Sequence, residues 1–212
     1  GVSVVNALSK DLLCTVRRGG KEYTIGFKGG QLASKLKETG TVGQKNTGTT
    51  VRFWPDPKFF DSDRFAMAEL KHTLKAKAVL CPGLRVRFEN EATGEKDEWF
   101  YTGHLGEYLT EQVGKTECLP KEPITAKHGS EKDAVEWAVI WAPNLPAFIA
   151  ESYVNLIPTS GGGTHVNGLR SGLSAAVREF AEFRNLLPRG VKLSPEDVWH
   201  GISFVLSIRM KD

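Results

Sequence analysis

Residues 47 to 55 carry the strongest signal for ligand binding in the chain. They read Thr-Gly-Thr-Thr-Val-Arg-Phe-Trp-Pro, a glycine turn that leads into an alternating strand. Gly48 would let the backbone approach a flat ligand, and Thr49 would place a hydroxyl beside it. Val51 and Phe53 are expected to anchor the strand in a core. Taken alone, such a pattern is more often an ordinary hairpin than a pocket.

A second candidate surface lies on the helix predicted to begin at Thr164, after the glycine run 161–163. Its apolar positions form one stripe at helical spacing: Val166, Leu169, Leu173, Val177 and Phe180. Its polar positions form another: Asn167, Arg170, Ser174 and Arg178. Residues 164–192 include five basic and two acidic residues. Such a face could follow a phosphate backbone, although solvation is its commoner role.

Other chemistries find little support in the motifs. The five histidines include no i, i+4 pair, so no metal site is predicted. The sequence contains no Gly-x-Ser-x-Gly, no Gly-x-x-x-x-Gly-Lys-Ser/Thr and no strand followed by Gly-x-Gly-x-x-Gly. A remaining phosphate candidate is Gly1-Val2-Ser3 at a helix start, where free N–H groups attract anions. Composition alone fits equally well an interpretation in which Gly1 is only the first residue of the chain and has no role in phosphate binding.

Periodicity predicts an α+β fold for the elements that must position these residues. Helices of the first half are expected at 1–8 and at 63–80, the second capped by Asp61, Ser62 or Asp63. Strands are expected at 12–16, 23–27, 31–36, 49–54, 84–89 and 95–101, with a polar loop at 38–47. Because Gly19-Gly20 and residues 92–94 suit tight turns, the sheet is predicted to be mostly antiparallel.

The pattern changes near residue 105, where a domain boundary is predicted. A short helix at 105–113 leads into a loop that contains Pro120 and Pro123. Three strands and one long helix follow: strands 135–141, 152–157 and 202–210, and helix 164–185. The predicted domains are therefore residues 1–105 and 106–212.

Composition limits the class of protein. Of the 212 residues, 40% are hydrophobic and 25% are charged, which is the balance of a globular protein. No apolar run reaches the length of a membrane span, and the N-terminus lacks the layout of a signal peptide. We therefore expect a cytoplasmic protein without a membrane partner. Three cysteines without a Cys-x-x-Cys pair argue against both a disulfide framework and structural zinc.

Three segments together resemble the ATPase subunit of bacterial type II topoisomerases. They are Gly1-Val2-Ser3-Val4-Val5-Asn6-Ala7-Leu8-Ser9, residues 47–55, and Gly162-Gly163-Thr164-His165-Val166-Asn167-Gly168-Leu169-Arg170. Their order and spacing match the family as well. Residues 153–159 and 187–194 are more similar to the topoisomerase IV form of this subunit than to the DNA gyrase form.

The resemblance implies a fold and a reaction. The fold is the C-terminal part of a Bergerat-type (GHKL) ATPase domain, followed by a ribosomal-protein-like βαβ transducer domain. In that family ATP and Mg²⁺ close a homodimer of the ATPase subunit into a clamp that captures DNA for strand passage, and the partner is the A subunit of topoisomerase IV. The polar stripe that begins at Asn167 would then line the DNA cavity.

The resemblance also assigns roles in the nucleotide pocket. Gly1 and Val2 match the end of a phosphate-binding turn, Thr49 matches a hydroxyl that reaches adenine through water, and Val51 matches a pocket wall. Arg18 and Gly48 match the pocket rim that coumarin-class inhibitors contact. These six residues are the implied ATP and inhibitor contacts of the chain.

The catalytic groups of the family are not expected in this sequence. Its N-terminal part, with the glutamate base, the magnesium-binding asparagine and the adenine-reading aspartate, has no match here. None of the three glutamines precedes a Thr-Lys pair, so the lysine that meets the γ-phosphate is not matched either. No catalytic or metal-binding residue is therefore predicted. These residues alone are not expected to hydrolyse ATP, because phosphoryl transfer needs base, metal and cation together.

Two alternatives stay open at this point. A gyrase-type subunit would share the nucleotide pocket but introduce negative supercoils. A nucleic-acid-binding module that uses the Arg170 helix without an ATP cycle would show salt-dependent DNA affinity and no effect of nucleotide.

Overall fold

The computed structural model describes residues 1–62, 64–130 and 133–211. The chain divides into two compact units, Gly1–Met67 and Ala68–Asp212. This division falls well before residue 105. The reason is that the helix Met67–Leu80 contributes buried side chains to the core of the second unit. The predicted domains 1–105 and 106–212 are domains of the family that the chain resembles, not compact units of this structure. That division therefore stays a prediction.

The first unit is a short helix on an antiparallel sheet. Its elements are α1 (Val2–Ala7), β1 (Ser9–Arg18), β2 (Lys21–Lys28), β3 (Gln31–Thr41) and β4 (Gly48–Pro55), followed by a 3-10 turn at Pro57–Phe59. The strand order is β3-β2-β1-β4. The predicted hairpin at Gly19-Gly20 is confirmed, and a second turns at Gly29-Gly30. All four glycines have positive φ, between 54° and 81°, which glycine adopts without strain.

β3 continues five residues past its predicted end at Leu36, so the loop expected to begin at residue 38 begins after Thr41. The ladder to β2 extends through the pair Lys21 and Thr41. An ion pair of 2.7 Å joins Lys21 to Glu38 across the two strands. Pairing with β2 therefore overrides the polar composition of this segment.

The prediction that Val51 and Phe53 are anchored in a core is wrong. The two side chains are 40% and 37% exposed. β4 lies at the edge of its sheet and pairs with β1 alone in the described sheet order. α1 reaches only the end of β4, where Val4 and Val5 line a small cavity with Phe53 and Pro55.

The second unit contains a helix layer on each face of a five-stranded sheet. Its helices are α2 (Met67–Leu80), α3 (Leu105–Val113), α4 (Thr164–Phe183) and α5 (Pro195–Trp199). A separate hairpin is formed by β5 (Arg85–Asn90) and β6 (Glu95–Phe100). The sheet strands are β7 (Leu119–Gly129), β8 (Ala134–Trp141), β9 (Ala150–Val154), β10 (Ile157–Pro158) and β11 (Ile202–Arg209). Their order is β10-β9-β11-β8-β7, and only β9 and β11 run parallel.

Alternation along β8 and β11 separates two cores. One face packs against α2 and α3 through Ala76, Val79, Leu105, Tyr108, Leu109, Val113, Ala138, Ile140, Tyr153 and Val205. The other packs against α4 and α5 through Val139, Ile202, Phe204, Leu206, Trp137, Trp141, Val166, Leu169, Leu173 and Trp199. The predicted alternating strands and the helix 105–113 are therefore confirmed.

α2 and β7 differ from the prediction. α2 begins at Met67, so Asp61 and Ser62 do not cap it, and Asp63 lies outside the described residues. The predicted loop with Pro120 and Pro123 is part of β7. That strand lies at the sheet edge, and its register to β8 shifts across the prolines, which an edge strand tolerates.

The strand predicted at 152–157 is interrupted. Asn155 and Leu156 have φ of 49° and 68° and form the turn between β9 and β10, so the pattern belongs to two strands. α5 was not predicted at all. It is one turn long, and a capping box between Ser194 and Asp197 begins it.

Ile140 and Ile157 test the position of the core. The side chain of Ile140 in β8 is 1% exposed, so Ile140→Ala should lower the free energy of unfolding by about 2 to 5 kcal/mol. Ile157 in β10 is 66% exposed, and Ile157→Ala should cost less than about 1 kcal/mol. Urea denaturation followed by tryptophan fluorescence measures both losses. Equal losses would contradict the burial of β8.

Candidate nucleotide site and candidate DNA interface

The predicted phosphate end of the pocket is the beginning of α1. The carbonyl oxygen of Gly1 accepts hydrogen bonds from the N–H groups of Val4 and Val5, at 3.0 and 3.3 Å. Val2 is the first helical residue, and its side chain is 60% exposed. N–H groups of a first helical turn have no partner inside the helix. Gly1 and Val2 therefore stand at the helix end that carries the N–H donors.

α1 is held in place from its other end. The Asn6 side-chain amide donates to the carbonyl oxygen of Gly30 at 3.1 Å, and the Ser9 hydroxyl donates to the carbonyl oxygen of Val5 at 2.6 Å. A Cβ added to Gly30 would lie 3.4 Å from Cα of Ala7. The close approach of the second hairpin turn thus fixes where α1 lies on the sheet.

Register places three predicted pocket residues on one face of the first sheet. Thr49 lies opposite Val16, and Val51 lies opposite Cys14. Residues directly opposite each other in an antiparallel pair point to the same side. Arg18 follows Val16 by two residues on β1 and so shares this face. Thr49, Val51 and Arg18 are therefore brought together.

Gly48 lies opposite Arg17 at the end of the same ladder. Its φ of 157° is one that other residues rarely adopt. A Cβ added there would lie 3.9 Å from Nη2 of Arg17. Gly48 is thus a strand residue without a side chain beside Thr49, and its predicted approach to a flat ligand stays a prediction.

The shared face runs from α1 to the first hairpin. Phe53 lies under α1, and Thr49 lies four residues further along β4, roughly 14 Å away at the usual rise of a strand. An elongated ligand could therefore place an anion at the start of α1 and a flat group beside Thr49, with Arg18 beyond it.

The predicted DNA-facing stripe on α4 is only partly exposed. Asn167 and Arg178 are exposed. Arg170 instead forms an ion pair of 2.5 Å with Glu196 of α5, and its guanidinium lies 5.8 Å from the centre of the Trp199 ring. The expectation of a solvent face is thus wrong in part, because α5 covers one side of α4.

Ser174 is the clearest departure from that stripe. It is 4% exposed, and its hydroxyl has no hydrogen-bond partner among the described residues. It lies one turn after Arg170 and so shares the face against which α5 packs. A DNA contact through Ser174 does not agree with this burial.

The apolar stripe of α4 is also only partly as predicted. Val166, Leu169 and Leu173 pack on the sheet, but Phe180 is 57% exposed. Near this end of the helix, Arg178 lines a cleft of about 670 Å³ together with Lys192 and Asn185. The cleft adds a second basic side chain that the stripe did not include.

α4 contains two glycines, Gly168 and Gly172, in its first half. A Cβ added to Gly168 or to Gly172 would meet no atom within 4 Å in the described structure. Both glycines line an apolar groove of about 450 Å³ between α4 and the sheet, together with Trp137 and His165. Tight packing therefore does not require glycine at either position.

A network of hydrogen bonds joins α3 to β9 on the other side of the sheet. Glu151 accepts hydrogen bonds from the hydroxyls of Tyr108 and Tyr153, at 2.9 and 2.6 Å. Burial, together with the Glu151 carboxylate, raises the pKa of both tyrosine hydroxyls. They therefore stay protonated and keep donating across the physiological pH range.

Sequence reasoning missed Glu196 and Trp199. Both belong to α5, whose beginning Ser-Pro-Glu-Asp carries the signature of a helix start, with a cap and a proline at the first turn. Among the described residues, no group of three or more His, Cys, Asp or Glu could hold a metal ion. No helix in the same residues is long and apolar enough to cross a membrane.

Residues 104–212 match the family model described as DNA gyrase B. The chain belongs to the DNA gyrase B family. Within this family it is 57% identical to the B subunit of DNA topoisomerase 4 from Pseudomonas aeruginosa and 51% identical to that from Escherichia coli K12. Its identity to the DNA gyrase B subunit of Thermotoga maritima is 33%. The resemblance to the ATPase subunit of type II topoisomerases, nearer the topoisomerase IV form, is confirmed.

The chain spans about a third of these relatives. Each alignment covers 100% of the chain and 34% of the relative. This match in sequence does not by itself give the activity of a whole subunit.

Two solved structures of the DNA gyrase B family have the same fold. The topoisomerase IV ATP binding domain of Francisella tularensis, in complex with a small molecule inhibitor, is 35% identical with a TM-score of 0.81, covering 100% of this chain and 57% of that chain. The 43K ATPase domain of Thermus thermophilus gyrase B, in complex with an aminocoumarin, is 28% identical with a TM-score of 0.79, covering 99% and 57%. The chain therefore has an α+β fold of the GHKL type.

Gly30 tests how α1 is held. Gly30 has a φ of 81°, and Gly30→Ala would place a Cβ against Ala7. We therefore expect the variant to lower the local stability of α1 by about 1 to 2 kcal/mol. Gly40→Ala in β3 is the control, since a Cβ there meets nothing within 4 Å. Hydrogen exchange of the α1 amides, followed by mass spectrometry, should accelerate in the first variant only. Unchanged exchange in Gly30→Ala would show that the turn does not hold the helix.

Proposed function

We propose that this chain works as part of the ATP-binding subunit of a DNA topoisomerase IV. In the whole protein, ATP-driven closure of a homodimer captures one DNA segment for passage through another, with the A subunit of topoisomerase IV as the partner. The observation that carries the proposal is the shared face of Thr49, Val51 and Arg18 beside α1, in a chain that is 57% identical to the B subunit of a DNA topoisomerase 4.

The nucleotide would lie along that face. Gly1 and Val2 would meet its phosphates, because the beginning of α1 offers unpaired N–H groups and the positive end of a helix dipole. Thr49 would supply a hydroxyl to the adenine through water, and Val51 would form an apolar wall. The alternation of β4 supports these roles, since it turns both side chains to the same side.

Arg18 and Gly48 would form the rim of the pocket. Arg18 is exposed at the hairpin end of β1, beyond Thr49 on the shared face, where it would meet a ligand larger than ATP. The structure of a relative with 28% identity has been solved in complex with an aminocoumarin. This supports a role for the rim in binding such inhibitors.

Mg²⁺ would accompany ATP in the whole protein, but the described residues of this chain do not fit a magnesium site. They include no cluster of carboxylate or histidine ligands that could hold the ion. The chain would contribute phosphate and adenine contacts to the nucleotide site.

DNA would meet residues 106–212, which we assign to the transducer domain. Asn167, Arg170 and Arg178 would contact phosphates without reading bases, because phosphate contacts position a protein without specifying sequence. The cleft at the end of α4 places Lys192 near Arg178, although the carboxylate of Glu182 also lines it. A protein with this role would act on chromosomal DNA in the cytoplasm.

Thr49 and Arg18 test the pocket in the full-length protein. Thr49→Ala should weaken binding of a non-hydrolysable ATP analogue by about 1 to 2 kcal/mol, the size of one lost hydrogen bond to a group that the bound nucleotide would bury. Arg18→Ala should spare the nucleotide and weaken an aminocoumarin. Thr50→Ala is the matched control, because Thr50 pairs with Thr15 on the opposite face. If calorimetry finds equal nucleotide loss in all three variants, the assignment of the face is wrong.

Arg170 and Arg178 test the DNA path. The double change Arg170→Gln and Arg178→Gln should reduce stimulation of the ATPase by DNA. It should also lower the salt slope of DNA binding by about one unit per lost contact. Arg85→Gln with Arg87→Gln, on the β5–β6 hairpin, removes the same charge elsewhere in the unit. Wild-type stimulation across a salt titration in the first double variant would rule out the α4 path.

A further inference from the structure

We propose that Glu196 is an internal competitor for Arg170, and that a DNA phosphate must displace it. This rests on the proposed role of α4 in DNA capture and adds a regulating residue to that site. In the absence of DNA the guanidinium is then held by a carboxylate of its own chain. DNA binding becomes an exchange of one anion for another.

The geometry shows a specific pair. Nη2 of Arg170 lies 2.5 Å from Oε1 of Glu196, and its guanidinium carbon lies 5.8 Å from the centre of the Trp199 ring. The carboxylate and the ring lie three residues apart on α5, so they hold the guanidinium from the same short helix. Cation–π contact with tryptophan is favourable and leaves the N–H groups free to change partner.

α5 is too firmly fixed to follow the arginine away. The Ser194 hydroxyl accepts a hydrogen bond from the N–H of Asp197 in a capping box. The indole N–H of Trp141 donates to the carbonyl oxygen of Val198 at 2.7 Å, and Val198 is buried. The Trp199 ring contacts Phe204 at 5.4 Å between centroids. The backbone that carries Glu196 is therefore fixed beside Arg170 on α4.

Exposure makes the pair easy to displace. The side chain of Glu196 is 74% exposed and that of Arg170 is 38% exposed, and pairs open to water are weak. Phosphate can accept two parallel hydrogen bonds from a guanidinium, as a carboxylate can. A duplex also brings many phosphates and releases counterions on binding. A duplex should therefore displace Glu196 from Arg170, whereas a single small anion binds Arg170 little better than Glu196 does.

The competition predicts a specific pattern of DNA affinities. Glu196→Gln keeps the size of the side chain and removes its charge, so it should tighten binding of a short duplex about two- to five-fold. Arg170→Gln should weaken binding. In the double variant the effect of Glu196→Gln should disappear, because the competitor acts only through Arg170. Fluorescence anisotropy with a labelled duplex, using the full-length protein at one fixed salt concentration, measures the wild type and all three variants.

Glu179→Gln is the matched control, since it neutralises an exposed carboxylate on α4 itself. It should change affinity by less than Glu196→Gln. Thermal unfolding of each variant checks that α5 is intact, and Glu196→Ala is a second variant that should repeat the gain.

The outcomes separate this inference from the proposed function. If Arg170→Gln leaves DNA affinity unchanged, α4 does not hold DNA and both fail. If Arg170→Gln weakens binding but Glu196→Gln and Glu196→Ala do not tighten it, the competitor is disproved while the DNA path survives. An equal gain from Glu196→Gln in both arginine backgrounds, or from Glu179→Gln, would also disprove it, since general charge would then explain the gain.

Discussion

The pairing of β8 with β11 is the constraint on which the second unit depends. The two strands pair antiparallel along their whole length, from Ile202 opposite Trp141 to Arg209 opposite Ala134. Side chains on one face enter the core with α3, and those on the other enter the core with α4. A register slip of one residue would turn the side chains of one strand to the opposite face of the sheet. It would therefore remove apolar side chains from both cores at once. The position of α4, and with it that of Arg170, follows from this register.

The first unit depends on register in the same way, but for its candidate site rather than for a core. Thr49 and Thr50 are neighbours on β4 and point to opposite sides. On the Thr50 side, hydroxyl contacts cross the sheet from Thr15 to Thr24 at 3.3 Å and from Thr24 to Thr39 at 3.1 Å. These polar contacts help to fix the register that leaves Thr49 on the pocket face.

Local patterns in the sequence predicted most elements because those elements depend on local chemistry. Paired glycines predicted the first hairpin, and alternation predicted β8 and β11. The resemblance of three segments predicted the family, and register then placed Thr49, Val51 and Arg18 together. Helical spacing failed for Ser174 because it assumes one packing partner, whereas α4 has the sheet on one side and α5 on another. The prolines of β7 suggested a loop, since edge position is not visible in a single strand.

The glycines of α4 have a consequence for how this helix moves. A glycine inside a helix costs about 1 kcal/mol relative to alanine, and open space surrounds the positions of Gly168 and Gly172. The segment on either side of Arg170 therefore opens more readily than a helix of 20 residues otherwise would. Its amide protection should be lower in the first half of the helix than in the second half. The part of α4 that carries the candidate phosphate contact is thus also a part where the helix resists a change of shape less than an alanine-rich helix would.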